Sequence, residues 1–179
     1  MLEATERLLA DGNAYADLSV DRIAKAAGIS RTAFYFYFAD KRELMTGLAA
    51  QMSQELFEKA IDFFSGEAGS TEELQHILGG VYDLYWQHGA LVRAVVEVST
   101  YDEEIAVFWR GLLDGFIDAV ESRILRQRGT ATGGAPPRAM AFTLVWMAER
   151  SLYQQLVQDE PVSRADLVAA LVEIFQGSR

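Results

Sequence analysis

The segment GISRTAFYFYFADKREL, residues 28–44, places five consecutive aromatic side chains between basic residues. Guanidinium and ammonium groups bind phosphate oxygens, and a guanidinium can also bind the acceptor edge of guanine. Tyrosine hydroxyls can reach phosphates, whereas a threonine methyl or a phenylalanine ring can contact the methyl group of thymine. These side chains therefore suit noncovalent recognition of a nucleic-acid duplex. The alternative is a core helix that is apolar on all sides and has solvated charges at its ends.

A helical wheel divides the aromatic run into two faces. Phe34 and Phe38 lie together on one face, where we expect them to pack against Val20, Ile23 and Ile29. The opposite face and its flanks then stay available for a partner. The residues predicted to contact DNA are Arg31, Thr32, Ala33, Tyr35, Phe36, Tyr37 and Lys41.

Three short helices are predicted in the N-terminal part of the chain: the first ends at Gly12, and capping residues begin the other two. Ser19 and Ser30 are suitable N-caps, because a serine hydroxyl accepts a hydrogen bond from an unpaired backbone N–H at a helix start. Gly28 lies between the second and third helices and can adopt the left-handed conformation of a turn. Asp40 and Glu43 have the spacing of a capping box at the start of the next helix. This order of elements is typical of a helix-turn-helix.

The rest of the chain also has helical spacing, without sustained period-2 alternation. We expect one long helix from Asp40 to about Ser65 and polar loops at residues 65–71 and 129–137. Five further helices are predicted over residues 71–88, 91–99, 103–128, about 137–159 and about 163–177. The predicted fold class is all-α: an N-terminal three-helix helix-turn-helix domain, residues 1–45, and a larger helical domain, residues 46–179, with about nine helices.

The charge distribution favours a narrow basic contact surface on an acidic protein. The net charge is −10. Residues 22–42 contain five basic residues and one acidic residue, a local charge of +4, whereas residues 46–179 contain 10 basic and 19 acidic residues, or −9. A broad nucleic-acid surface is therefore not expected. A small contact with phosphates is compatible with this distribution.

Other features of the sequence argue against membrane, metal and catalytic functions. No apolar stretch approaches the roughly 18 residues that span a bilayer, and no secretory signal is visible. We therefore expect a cytoplasmic protein. There is no cysteine, His76 and His88 are isolated, and there is no Ser/His/Asp arrangement or glycine-rich phosphate loop. No enzyme activity, metal or cofactor is predicted.

The segment LSVDRIAKAAGISRTAFYFYFADKREL, residues 18–44, resembles the DNA-binding segment of the TetR-type repressors, and FYFYF is most similar to the EthR-like branch. The family's characteristic positions are occupied by Gly28, Ile29, Ser30, Tyr35, Tyr37, Phe38, Lys41, Glu43 and Leu44. The resemblance implies that residues 1–45 bind operator DNA as half of a dimer. It also implies that residues 46–179 form a ligand-binding and dimerisation domain.

Large apolar side chains in the second half of the chain admit two interpretations. They can be ordinary core, or they can line an apolar tunnel for an elongated ligand, as the resemblance implies. The predicted ligand-binding residues are Tyr82, Tyr85, Trp86, Phe108, Trp109, Leu112, Leu113, Phe116, Val145, Ala148, Glu149 and Tyr153. Val145 and Ala148 occupy positions where the EthR-like branch has amide side chains, which implies a drier pocket. Glu149 could pair with Arg150 structurally or anchor a ligand.

The last two predicted helices, about 137–159 and 163–177, would form the dimer contact by resemblance. Their large apolar residues exceed what one subunit of this size is expected to bury; they are Phe142, Trp146, Leu167, Leu171 and Phe175. The functional hypothesis is a ligand-responsive repressor that binds a palindromic operator as a dimer and is released by a small apolar or amphipathic ligand. The alternative is a carrier or sensor of apolar ligands without DNA binding.

Overall fold

The computed structural model describes residues 1–65, 70–129 and 134–177, without the side chains of residues 62 and 63. Within these ranges the chain forms ten α-helices, a 3-10 turn at Tyr15–Asp17 and no strand. The helices are α1 (Leu2–Ala10), α2 (Val20–Ala26), α3 (Arg31–Tyr37), α4 (Lys41–Lys59), α5 (Ile61–Ser65), α6 (Thr71–Gln87), α7 (Gly89–Val98), α8 (Glu103–Arg128), α9 (Pro137–Val157) and α10 (Arg164–Gly177). The all-α fold class is confirmed. Residues 66–69 and 130–133 of the two predicted loops lie outside the described residues.

The helix after the aromatic run is shorter than predicted. It ends at Lys59, and a separate helix begins at Ile61, so the expectation of one helix to Ser65 is wrong. At Ala60 the backbone N–H bonds to the carbonyls of both Leu56 and Phe57, at 3.1 and 3.2 Å. Bonds shared between the third and fourth preceding carbonyls are common where a helix ends. With this interruption the described residues form ten α-helices, where the sequence predicts about nine.

Two compact units make up the described chain. The first contains residues 1–53 and 88–110, and the second contains residues 54–87 and 111–179. The helices α4 and α8 contribute residues to both. The predicted domain boundary at residue 45 stays a prediction.

The first unit contains the predicted helix-turn-helix. Its α1 contacts α2 and α7, and α2 contacts α3. Phe34 and Ile23 are fully buried, whereas Phe38, Val20 and Ile29 are half-buried. The Phe34 and Phe38 rings are 5.9 Å apart, as expected for side chains on one helix face. Other fully buried apolar side chains of this unit include Leu18, Leu44, Val92 and Val95.

The predicted caps set the bounds of these helices. The hydroxyls of Ser19 and Ser30 each accept a hydrogen bond from the backbone N–H three residues on, at 3.2 and 3.1 Å. Gly28 turns the chain at φ 70°, a conformation that costs a side-chain-bearing residue energy. The Asp40 carboxylate accepts from the N–H of Glu43 at 2.9 Å, and the Glu43 carboxylate accepts from the N–H of Ala39 at 2.5 Å. Glu43 therefore reaches one residue further back than the capping box predicts.

The second unit has its own apolar core. Its α6 contacts α5, α9 and α10. The buried side chains include Leu74, Ile117, Ala141, Leu156 and Val168.

Candidate functional site

The exposed face of α3 carries the side chains that the sequence predicts for DNA contact. Phe36 is 86% exposed, Tyr37 69% and Tyr35 47%, although all three are large apolar or aromatic residues. Arg31 and Thr32 are also exposed, and Ala33 is half-buried. The buried side chain of Phe34 anchors α3 in the core, and the opposite face of the helix is exposed to solvent. The alternative of an all-round core helix is therefore wrong for α3.

Arg31, at the start of α3, makes only weak internal contacts. Its guanidinium lies 3.0 Å from the Asp21 carboxylate, and both side chains are exposed. It also lies 6.0 Å from the ring centre of Tyr35. Exposed ion pairs contribute about 0–1 kcal/mol, so a phosphate or a guanine edge can replace Asp21 at small cost.

Lys41 has internal partners that the sequence does not indicate. Its ammonium donates hydrogen bonds to the carbonyls of Tyr15, Ala16 and Leu18, at 3.2, 3.2 and 2.7 Å. In return, the Tyr15 hydroxyl donates to the carbonyl of Lys41. Burial lowers the pKa of Lys41, and the Asp17 carboxylate opposes that shift. Its three N–H donors thus join the start of α4 to the 3-10 turn, and the predicted phosphate contact stays a prediction.

We expect Lys41→Met to lower the free energy of unfolding by about 1–3 kcal/mol, because three carbonyls lose a charged donor. Duplex affinity should fall as well, because the Lys41 hydrogen bonds hold the start of α4 directly after α3, and the slope of log affinity against log salt shows whether Lys41 also neutralises a phosphate. Denaturant unfolding and duplex titrations at several salt concentrations measure the two effects. Lys59→Met, at the far end of α4, is the control. A phosphate contact would reduce the salt slope by about two, one for each chain on the duplex, whereas an unchanged slope would mean that Lys41 has a structural role only.

A second long-range contact joins the start of α4 to the start of α8 within the first unit. Arg42 Nε lies 2.9 Å from Asp102 Oδ2, and its Nη1 lies 2.8 Å from Glu104 Oε2. The other oxygen of Asp102 accepts from the backbone N–H groups of Glu104 and Ile105, at 3.1 and 3.2 Å, and so caps α8. Sequence reasoning missed this pair, because Arg42 and Asp102 are 60 residues apart and neither belongs to a local pattern.

The structure places the predicted ligand-binding residues in different environments. Phe108 and Trp109 belong to the first unit, and the other ten belong to the second. The buried members are Tyr82, Tyr85, Trp109, Leu113, Val145 and Glu149, and the half-buried members are Phe108, Leu112, Phe116, Ala148 and Tyr153. Trp86 is 41% exposed and stacks on Tyr82, with the ring centres 6.1 Å apart. The Phe116 ring lies 4.7 Å from Phe57, which sequence reasoning did not single out because it lies before the aromatic-rich half.

Tyr85 and Glu149 form a polar pair inside the second unit. The Tyr85 hydroxyl donates to Glu149 Oε1 at 3.4 Å. Burial raises the pKa of Glu149, while Arg150, 3.7 Å away, and Tyr85 both oppose that shift. Burial also raises the pKa of the Tyr85 hydroxyl, and the Glu149 carboxylate raises it further. Of the predicted ligand-binding residues, these two are therefore brought together by a direct hydrogen bond.

The described residues show neither a metal-ligand cluster nor a membrane-spanning helix. They contain no group of three or more His, Cys, Asp or Glu side chains arranged to hold a metal ion. Among the same residues, no helix has the length and apolar character needed to cross a membrane.

Comparison with known proteins agrees with this arrangement. Residues 1–48 match the family described as bacterial regulatory proteins, tetR family, and residues 74–178 match the C-terminal domain of the transcriptional regulator EthR. The HTH-type transcriptional regulator EthR of Mycolicibacterium smegmatis is 31% identical over 98% of this chain and 82% of its own length. The protein of the same name from Mycobacterium tuberculosis is 29% identical over 98% of this chain and 83% of its length.

Solved structures show the same fold. The regulator FadR from Bacillus subtilis, in complex with stearoyl-CoA, has a TM-score of 0.78 at 18% identity. The alignment covers 99% of this chain and 97% of the FadR chain. The fatty acid degradation regulator FadR from Bacillus halodurans has a TM-score of 0.80 at 17% identity, with 98% of this chain and 92% of that chain covered. The resemblance found in the helix-turn-helix segment therefore extends over nearly the whole chain, and the chain belongs to the EthR-like transcriptional regulators of the TetR family.

Proposed function

We propose that the chain is a cytoplasmic, ligand-responsive repressor that binds a palindromic operator as a homodimer and is released by a small apolar ligand. The observation that carries this proposal is the open face of α3, where Phe36 is 86% exposed on a helix whose Phe34 is fully buried. A helix of this kind fits the major groove, with residues near its N-terminus at the base edges. The family consists of transcriptional regulators and not enzymes, which confirms the prediction that the chain is not an enzyme.

The direct contacts with DNA would come from the exposed side chains of α3. Thr32 and Phe36 would meet thymine methyl groups, and Arg31 would exchange Asp21 for a guanine edge or a phosphate. The hydroxyls of Tyr35 and Tyr37 would reach phosphates on either side of the groove.

The dimer contact would form between copies of α9 and α10. Phe142 and Val157 on α9 are 53% and 51% exposed, and Ile174 on α10 is 44% exposed. Leu171 is not available for this contact, because it is 3% exposed and belongs to the chain's own core. A symmetric pair of two-helix faces would make a four-helix bundle. Two-fold symmetry would then fix the recognition helices about 34 Å apart, one turn of DNA.

The response to ligand requires that the ligand prefers one of two arrangements of the DNA-binding helices. The α8 helix carries Trp109 and Leu113, and its N-terminal cap is ion-paired with Arg42 at the start of α4. We propose that ligand binding shifts α8 and α4 together and so changes the separation of the recognition helices. The FadR neighbour holds stearoyl-CoA, which is compatible with an elongated apolar effector here.

Selection of binding sites from a random duplex library by the wild-type protein tests the DNA-binding half of this proposal. We expect a palindromic sequence whose half-sites are one helical turn apart, with affinity that falls linearly on a log–log plot against salt. The stoichiometry should be two chains per duplex. If the chain binds no duplex at any salt concentration but still binds apolar ligands, it is a carrier or sensor.

A further inference from the structure

Glu149 on α9 has a carboxylate oxygen without a hydrogen-bond donor. The side chain of Glu149 is 3% exposed. Its Oε1 accepts from the Tyr85 hydroxyl, whereas Oε2 is buried and has no hydrogen-bond partner in the described structure. The nearest cation, Arg150 Nε, lies 3.7 Å from Oε2, beyond hydrogen-bonding distance.

A buried oxygen without a donor lowers the stability of the ligand-free protein. A buried acceptor that loses its water without gaining a donor costs roughly 1–3 kcal/mol, and more when it is charged. Arg150 does not complete the pair, because its side chain is 51% exposed and its guanidinium lies over the Tyr153 ring at 5.0 Å. The neighbouring residues on the same helix side, Val145 and Ala148, offer no side-chain donor. No described side chain therefore supplies the donor that this oxygen lacks.

We propose that Glu149 Oε2 accepts a hydrogen bond from the effector, so that the effector is an elongated apolar molecule with an O–H or N–H head group and not a carboxylate. This inference rests on the proposed function, because it names the chemistry of the ligand in the same regulatory domain. Both a neutral hydroxyl or amide and a protonated amine supply the required donor.

Two physical effects give the site its selectivity. A site that is built to hydrogen-bond a donor rejects an analogue that lacks it, because the buried acceptor then stays unpaired. A carboxylate ligand would in addition place a second negative charge near Glu149, with only the partly exposed Arg150 to offset it. Fatty acids should consequently bind less tightly than alcohols or amines of equal length.

Four probes with the same ten-carbon chain separate these effects: decanol, decylamine, methyl decanoate and decanoate. Each is titrated into the full chain below its micelle concentration, and affinity is read from tryptophan fluorescence and from the shift in Tm. We expect decanol and decylamine to bind at least about tenfold more tightly than methyl decanoate, since a hydrogen bond to a charged acceptor commonly contributes this much. Decanoate should bind most weakly. A preference for decylamine over decanol would identify a cationic head group.

Glu149→Gln is the matched variant, because its amide retains the size of the carboxyl and an acceptor for Tyr85 but has no charge. We expect decylamine to lose at least about tenfold in affinity, while methyl decanoate binds as well or better because the new amide can donate to its carbonyl. The control is Glu97→Gln, an exposed glutamate on α7, which should leave all four affinities unchanged.

Two results would overturn the inference. If wild-type protein binds the four probes equally, or if Glu149→Gln leaves their order unchanged, the unpaired oxygen has no role in ligand choice, and the proposed repressor function is unaffected. If none of the four probes binds, the inference and the apolar-effector part of the proposed function both fail. The comparison among probes in the wild-type protein remains decisive if the variant does not fold.

Discussion

Phe34→Ala is expected to lower the free energy of unfolding by about 3–5 kcal/mol, the usual range for removing a buried phenylalanine ring. Phe34 is fully buried, and its ring lies 5.3 Å from Tyr35 and 5.9 Å from Phe38. The short helix α3 cannot repack to fill the cavity, because its bounds are held by the Ser30 cap and the turn at Gly28. Domains are stable by about 5–15 kcal/mol, so this one change removes a large part of the total.

Denaturant unfolding followed by circular dichroism measures this effect. The control is Phe36→Ala, which removes the same ring two residues away on the exposed face and should change the free energy of unfolding by no more than about 0.5 kcal/mol. Equal losses for the two variants would mean that both rings are buried in solution, and the division of α3 into a core face and an open face would be wrong.

The double variant Thr32→Ala with Phe36→Ala is expected to lower operator affinity by at least about a hundredfold, because each lost base contact costs about 1–3 kcal/mol and both half-sites are affected. Stability should be unchanged, since both side chains are exposed. The salt slope should also be unchanged, because neither side chain neutralises a phosphate. A mobility-shift titration on the selected operator measures the affinity.

Val107→Ala provides a control for losing an exposed apolar side chain away from α3, since Val107 is 55% exposed on α8. It should leave operator affinity unchanged. If the double variant binds the operator as the wild type does, α3 is not the recognition helix, and the proposed contacts of Thr32 and Phe36 must be abandoned.

The sequence predicts the helix-turn-helix well because its determinants are local. A cap such as Ser30 acts on an N–H only three residues away, and the wheel that separates Phe34 from Phe36 needs nothing beyond the spacing of a single helix. The bounds of α8, Glu103–Arg128, are predicted correctly for the same reason, since a long amphipathic pattern ends in a glycine-rich segment.

Contacts between distant residues could not be predicted in this way. Lys41 has the residue type and position of a phosphate ligand, and only the folded chain brings the carbonyls of Tyr15 and Leu18 to its ammonium. The break between α4 and α5 at Ala60 contains no glycine or proline, so the sequence pattern does not indicate that the helix ends there. An apolar helical stripe does not show which of its residues pack inside the chain: Leu171 and Phe142 both belong to the set that exceeds one subunit's expected core, yet Leu171 is 3% exposed and Phe142 is 53% exposed.

The carboxylate of Asp102 serves two elements at once, as the cap of α8 and as the partner of Arg42. Burial by itself would raise the pKa of Asp102, but hydrogen bonds from Arg42 and from the backbone hold it below its ordinary value of 3.8. Its contribution to stability is therefore complete above that value and disappears only as the pH falls through the lowered pKa. Protonation of this one group would weaken the cap of α8 and leave Arg42 with Glu104 as its remaining ion-pair partner, so the starts of α4 and α8 are both affected by the same titration.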